Sequence, residues 1–154
     1  MIFPDYKECT IAVLGLGYVG LPLAIEFSKH QNCLLSNKKL ERKVIAYDIN
    51  KKRVQELKNN FDETKEVSME ELISAKNIIF SSNISDLYSA SVFIITVPTP
   101  VDDANKPDLN ILKNATILVS EILKNRFDQK KKVKDKSIDV VIYESTVYPG
   151  ATEE

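Results

Sequence analysis

The 154-residue chain has four glycines, and three of them, Gly15, Gly17 and Gly20, fall within six residues. They lie in TIAVLGLGYVGLPLAIEF, between an apolar run over 10–14 and a helical apolar spacing at Leu21, Ala24, Ile25 and Phe27. A G-x-G-x-x-G spacing after a strand and before a helix suits the holding of a pyrophosphate. Gly15 permits the tight turn, Gly17 lets the main chain approach the phosphates, and Gly20 lets the helix lie close to the strand. The start of the helix offers unpaired N–H groups and a partial positive charge. Pro22 is tolerated in that first turn, where N–H groups lack helical partners.

An acid agrees with the glycines. A second strand, KVIAY over 43–47, ends at Asp48, where a carboxylate can accept hydrogen bonds from the hydroxyls of an adenosine ribose. Asp48 would also oppose a 2′-phosphate, which favours NAD over NADP, although Lys51, Lys52 and Arg53 stand close by in sequence. Asp48 lies 28 residues beyond Gly20, where about 20 is usual. HQNCLLSNKKLER, 30–42, accounts for the excess as an enlarged loop at the sheet edge away from the ligand.

Other candidates carry less. YDINK places Tyr47 four residues before Lys51, as in the Tyr-x-x-x-Lys pair of short-chain dehydrogenases, but on a strand end and not on a later helix. There is no G-x-x-x-x-G-K phosphate loop. His30, the only histidine, lies at the far end of the first helix, which argues against both a metal site and a general base. Cys9 and Cys33 fall at the edge away from the crevice and are not read as nucleophiles. Ser145 and Thr146 at one strand end, and Val97, Pro98 and Thr99 at another, reach the ligand edge; local turn bonding is the ordinary role of such hydroxyls.

The elements that must position these residues alternate. After the first strand and the helix over 18–30 come strand 43–47, a helix over 50–60 capped by Asn50, and a helix starting near Ser68. SMEE has the capping-box pattern. NIIFSSN and SVFIITV are the third and fourth strands, the latter apolar enough for burial on both faces. PTPVDDANKPD is a loop; Asp108 can cap a helix to about residue 127; SIDVVIYES is a fifth strand. This order predicts a doubly wound, mostly parallel α/β sheet flanked by helices, in one domain over 1–154.

Composition narrows the class. A net charge of −1 gives no global pull toward nucleic acid or an anionic membrane. The basic stretch 124–136 holds seven basic and two acidic residues and reads as a solvated helix end and loop. No apolar run approaches the ~20 residues of a membrane span, no signal peptide is visible, and two cysteines do not make a disulfide framework. The expected location is cytoplasmic.

Three stretches, VLGLGYVGLPLA (13–24), VPTPVDDANKPDL (97–109) and YESTVYPGATEE (143–154), resemble the nucleotide-sugar 6-dehydrogenases, a family that includes UDP-glucose dehydrogenase. The last two look closest to the branch acting on UDP-N-acetylhexosamines, of the type used for Vi-like polysaccharide. The resemblance implies a Rossmann-type NAD-binding domain. It also implies two successive NAD-dependent oxidations of a sugar C6 alcohol to a carboxylate, through a thiohemiacetal and a thioester on a cysteine. By the same resemblance, Tyr18 and Val19 offer main chain near the pyrophosphate, Asp48 holds the adenosine ribose, and Arg53 lies near the adenosine end. Val97, Pro98 and Thr99 adjoin the cofactor, and Thr146 sits near the nicotinamide and the active centre. Members are longer, with a central helical region and a sugar-nucleotide domain; the catalytic cysteine and lysine are expected beyond Glu154, so this chain is expected to be inactive alone. The family implies a UDP-sugar as partner and allows a homo-oligomer. A nucleotide-sensing module without catalysis, and a hydroxyacid or 6-phosphogluconate-type dehydrogenase, remain alternatives.

Overall fold

The computed structural model describes residues 2–29, 32–33, 35–101, 107–133 and 137–145. Five strands, β1 (Ile11–Leu14), β2 (Val44–Tyr47), β3 (Ile78–Ser81), β4 (Val92–Ile95) and β5 (Val140–Tyr143), form one sheet in the order β3-β2-β1-β4-β5. Every pairing is parallel, with Leu14 opposite both Tyr47 and Ile95. The ends of the three central strands are therefore level, and the loops leaving them meet along one edge.

Four helices cover the sheet: α1 (Gly20–Lys29), α2 (Lys51–Lys58), α3 (Met69–Ser74) and α4 (Asn110–Val133). Alternation along the strands divides the core in two. Ile11, Val13, Val44, Ala46 and Ile94 pack with Leu21, Ala24 and Ile25 of α1 and with Leu57 and Leu72. Ala12, Leu14, Ile45, Tyr47, Phe93 and Ile95 pack on the other side, with Leu87 and with Leu112, Val119 and Ile122 of α4. Burial on both faces is the reason β1 and β2 read as unbroken apolar runs.

The caps follow the sequence. The Asn50 side chain accepts from the N–H groups of Lys52 and Arg53, and Ser68 and Glu71 close a reciprocal capping box. The Asn110 N–H donates to Asp108 at 2.9 Å. Two features differ from expectation. A 3₁₀ turn, Ile84–Ser89, links β3 to β4; its six residues are too few to show a helical period. The last helix runs to Val133 and not to about 127. Its sequence over 127–133 has no glycine or proline to stop it.

The described part of the enlarged loop folds back on itself away from the strand C-termini. Asn32 bridges Lys39 antiparallel, the Cys33 N–H donates to the Lys38 carbonyl at 2.8 Å, and Glu41 bonds Lys7 in the N-terminal segment. The extra residues before Asp48 thus lie at the opposite end of the strands from Gly15. Cys9 and Cys33 are free thiols at that end. Burial pushes the Cys9 thiol up, whereas hydrogen bonds from Ser36 draw that of Cys33 down. His30 lies outside the described residues.

Candidate dinucleotide-binding site

Each of the three glycines is bare for a different reason. Gly15 has φ of +97°, a conformation L side chains rarely adopt, and a Cβ there would also lie 3.1 Å from the Thr96 carbonyl oxygen. A Cβ on Gly20 would fall 1.8 Å from the Gly15 carbonyl oxygen and 2.3 Å from Thr96 Oγ1. A Cβ on Gly17 would meet nothing within 4 Å. The fold itself therefore requires two of the glycines. The third faces open space, flanked by the exposed Tyr18 and Val19, so among the described residues no side chain plugs the turn.

The loop is held from three sides. Gly15 N–H donates to the Tyr47 carbonyl at 2.9 Å, continuing the β1–β2 ladder. Thr96, one residue past β4, donates its hydroxyl to Leu14 O at 2.9 Å and Gly15 O at 2.8 Å. Asp48 takes the Leu16 N–H at 2.8 Å on Oδ2 and the Asn50 N–H at 2.8 Å on Oδ1. Each carboxylate oxygen has two acceptor positions, so Asp48 keeps capacity for a ribose hydroxyl while fixing the loop.

Arg53 comes from beneath. Its Nε donates to Leu16 O at 3.0 Å, and its Nη2 pairs with Asp62 at 2.7 Å and reaches Thr64 Oγ1 at 3.2 Å. The side chain is buried, and Nη1 has no acceptor among the described residues. Asp62 in turn accepts from the N–H groups of Thr64, Glu66 and Val67 and from the Thr64 hydroxyl. Burial alone would raise its pKa; these bonds and the guanidinium hold it down to about 2.

At the neighbouring strand ends, Val97 and Thr99 are half-buried and Pro98 is exposed. Ser145 donates its hydroxyl to Val97 O at 2.7 Å, so it ties two strand ends together across 48 residues and does not make the local turn bond expected of it. Thr146 lies outside the described residues. The Tyr47/Lys51 pair does not form a site: Tyr47 is buried in the core, where loss of solvent raises its pKa, and Lys51 is exposed on α2. Sequence reading missed Thr96, Asp62 and Thr64. The register of β4 against β1 identifies Thr96 as the residue beside the glycine turn, but that register is a tertiary fact.

The parallel 3-2-1-4-5 order, the level strand ends, the bare Gly17 and the acid at the end of β2 define a dinucleotide-binding domain of the Rossmann class. Comparison with known proteins narrows this. The NAD binding domain of the UDP-glucose/GDP-mannose dehydrogenase family matches residues 9–154, and the chain belongs to that family. It is 45% identical over 148 residues to the UDP-N-acetyl-D-glucosamine 6-dehydrogenase of Pseudomonas aeruginosa, covering 96% of this chain and 30% of the relative. It is 46% identical to Protein CapL of Staphylococcus aureus, covering 94% of this chain and 28% of that protein. The solved UDP-D-ManNAc dehydrogenase of Pyrococcus horikoshii superposes with a TM-score of 0.71 at 31% identity, over 94% of this chain and 30% of that one. This chain thus spans about 30% of the length of these relatives. Among the described residues, no helix is long and apolar enough to cross a membrane and no cluster could hold a metal ion.

Proposed function

We propose that the chain is the NAD-holding part of a UDP-N-acetylhexosamine or UDP-glucose 6-dehydrogenase, which oxidises a sugar C6 alcohol to a carboxylate in two steps for surface-polysaccharide precursors. The 45% identity to a UDP-N-acetyl-D-glucosamine 6-dehydrogenase supports the N-acetylated sugar. Bound NAD supplies a hydride acceptor at its nicotinamide. Residues of this chain bind and orient it. Gly15, Gly17 and Gly20 with the Tyr18 and Val19 main chain form the pyrophosphate seat, and Asp48 the ribose acceptor. Arg53 supports the loop and retains one donor, Nη1. Val97, Pro98 and Thr99 stand on the nicotinamide side, where the family resemblance also assigns Thr146.

One observation carries this reading. Gly17 is bare although no described residue would meet a side chain there, so its lack of a side chain serves a group from outside. Titration of the chain with NADH, followed by nicotinamide fluorescence, is expected to saturate, and NADPH to bind at least tenfold more weakly because Asp48 repels its 2′-phosphate. No saturation at millimolar NADH rejects the reading. The chain alone is expected to produce no NADH from UDP-N-acetylglucosamine and NAD; measurable turnover would place the whole reaction within these 154 residues.

A further inference from the structure

We propose that Arg53 and Asp62 are a buried positioning pair that sets the Leu16–Gly17 peptide plane, so that the Gly17 N–H faces the pyrophosphate. The proposal rests on the cofactor reading above and adds to it how the phosphate donor is aimed. The Leu16 carbonyl and the Gly17 N–H belong to one peptide unit. No peptide bond here is cis, and in a trans unit the two groups point in opposite directions. Arg53 Nε holds the carbonyl at 3.0 Å from the buried side. The N–H of the same unit must then face away from Arg53, toward the open space in front of Gly17, and among the described residues no acceptor takes it. On the other side of the same residue, Asp48 fixes the Leu16 N–H at 2.8 Å.

A free arginine would not hold the plane; this one is itself fixed. Asp62 pairs with Nη2 at 2.7 Å, and its side chain is 1% exposed. It sits in a turn whose own N–H groups, from Thr64, Glu66 and Val67, close on its two oxygens. The turn between α2 and α3 thus acts on the nucleotide loop through one planar fork, Nε on the loop and Nη2 on the anchor. Lysine, a compact ammonium on a flexible stem, has donors but no planar fork to fix the two partners in one plane. Arg53 and Asp62 are therefore positioning residues and not ligands of the phosphate.

Two variants test this. Arg53→Met with Asp62→Asn removes both buried charges together and leaves an amide oxygen for the N–H groups of the turn; Arg53→Lys keeps the charge and loses the fork. The readouts are the ¹H–¹⁵N resonance of Gly17 in the ligand-free chain and the affinities for ADP and for adenosine. Expected are a displaced Gly17 resonance in both variants, ADP binding weakened tenfold or more, and adenosine binding within twofold of the parent. An unmoved Gly17 resonance overturns the proposal. So do full ADP affinity in Arg53→Lys, which would make charge alone sufficient, and equal losses for ADP and adenosine, which would make Arg53 a direct adenosine contact. If the parent chain binds neither ligand, the cofactor reading fails, while the Gly17 resonance still reports whether the pair sets the peptide.

Discussion

Gly17→Ala and Gly20→Ala make the same chemical change three residues apart, and opposite outcomes are expected. At Gly20 the new methyl would sit 1.8 Å from a backbone carbonyl, so α1 must move off β1, at a cost of several kcal/mol. At Gly17 the methyl enters open space at a φ outside the left-handed region, so stability should stay within ~0.5 kcal/mol. NADH affinity should nevertheless fall at least tenfold, because the methyl stands where the phosphates approach. Thermal unfolding and NADH titration of the pair separate the two roles; an unchanged affinity in Gly17→Ala would remove the phosphate from this position. Thr96→Val is a third case. The isostere deletes a hydroxyl that bonds both Leu14 O and Gly15 O, with an expected loss of about 1–2 kcal/mol. The glycines and Asp48 were legible in the sequence because their spacing is local and each answers a backbone or charge requirement. Thr96 and Asp62 were not. They act across 81 and 9 residues, on Gly15 and Arg53 respectively, and a lone threonine or aspartate has no pattern to read.

Elements were legible in proportion to their local signals. The four-residue Ser68–Glu71 motif announced α3, and Asn50 announced α2, because a cap must sit at a fixed offset from the N–H groups it satisfies. The helix α3 is only six residues long, too short to be stable by propensity alone. Ser68→Ala is therefore expected to cost about 1 kcal/mol and to speed amide hydrogen exchange in Met69–Ser74 ahead of the rest of the chain. Uniform exchange across the domain would show that packing of Leu72, and not the cap, holds this helix. The end of α4 was not legible for the converse reason. A helix without a glycine or proline stop offers no local signal for its end. The same reasoning applies to the loop over 30–42. Its length displaced Asp48 from the usual interval, yet parallel pairing of β1 with β2 restores the carboxylate to the glycine turn whatever intervenes.

At the scale of the whole molecule, charge and packing converge on the turn over 59–68, and acid is the means to expose this. Asp62 has a folded-state pKa of about 2 against an ordinary 3.8. A depressed carboxylate stabilises the fold fully above its unfolded value, and that contribution is withdrawn as pH falls from about 5 toward 2. For Asp62 the contribution is about 2 kcal/mol at neutral pH. Glu71 is also held at about 2, mainly by its bond to Lys29, and it loses its stabilisation over the same range. That pair is largely solvent-accessible, so its share is small and screened by salt. Lys29 shows the opposite sign. Its pKa is raised, chiefly by Glu71, so the pair persists below 10.5 and weakens as pH rises through the folded-state value. Urea unfolding across pH 2–7 at low and at 0.5 M salt, a concentration that shortens screening to a few ångströms, should therefore show two components. The part due to Glu71 should flatten with salt, while the part due to Asp62 should remain. In Asp62→Asn the chain should be less stable at pH 7, and at 0.5 M salt, where the Glu71 part is screened, its stability should fall much less between pH 5 and 3 than that of the parent. If Asp62→Asn keeps the acid slope of the parent, the buried pair is not the anchor of the nucleotide loop, and Arg53 holds Leu16 without it.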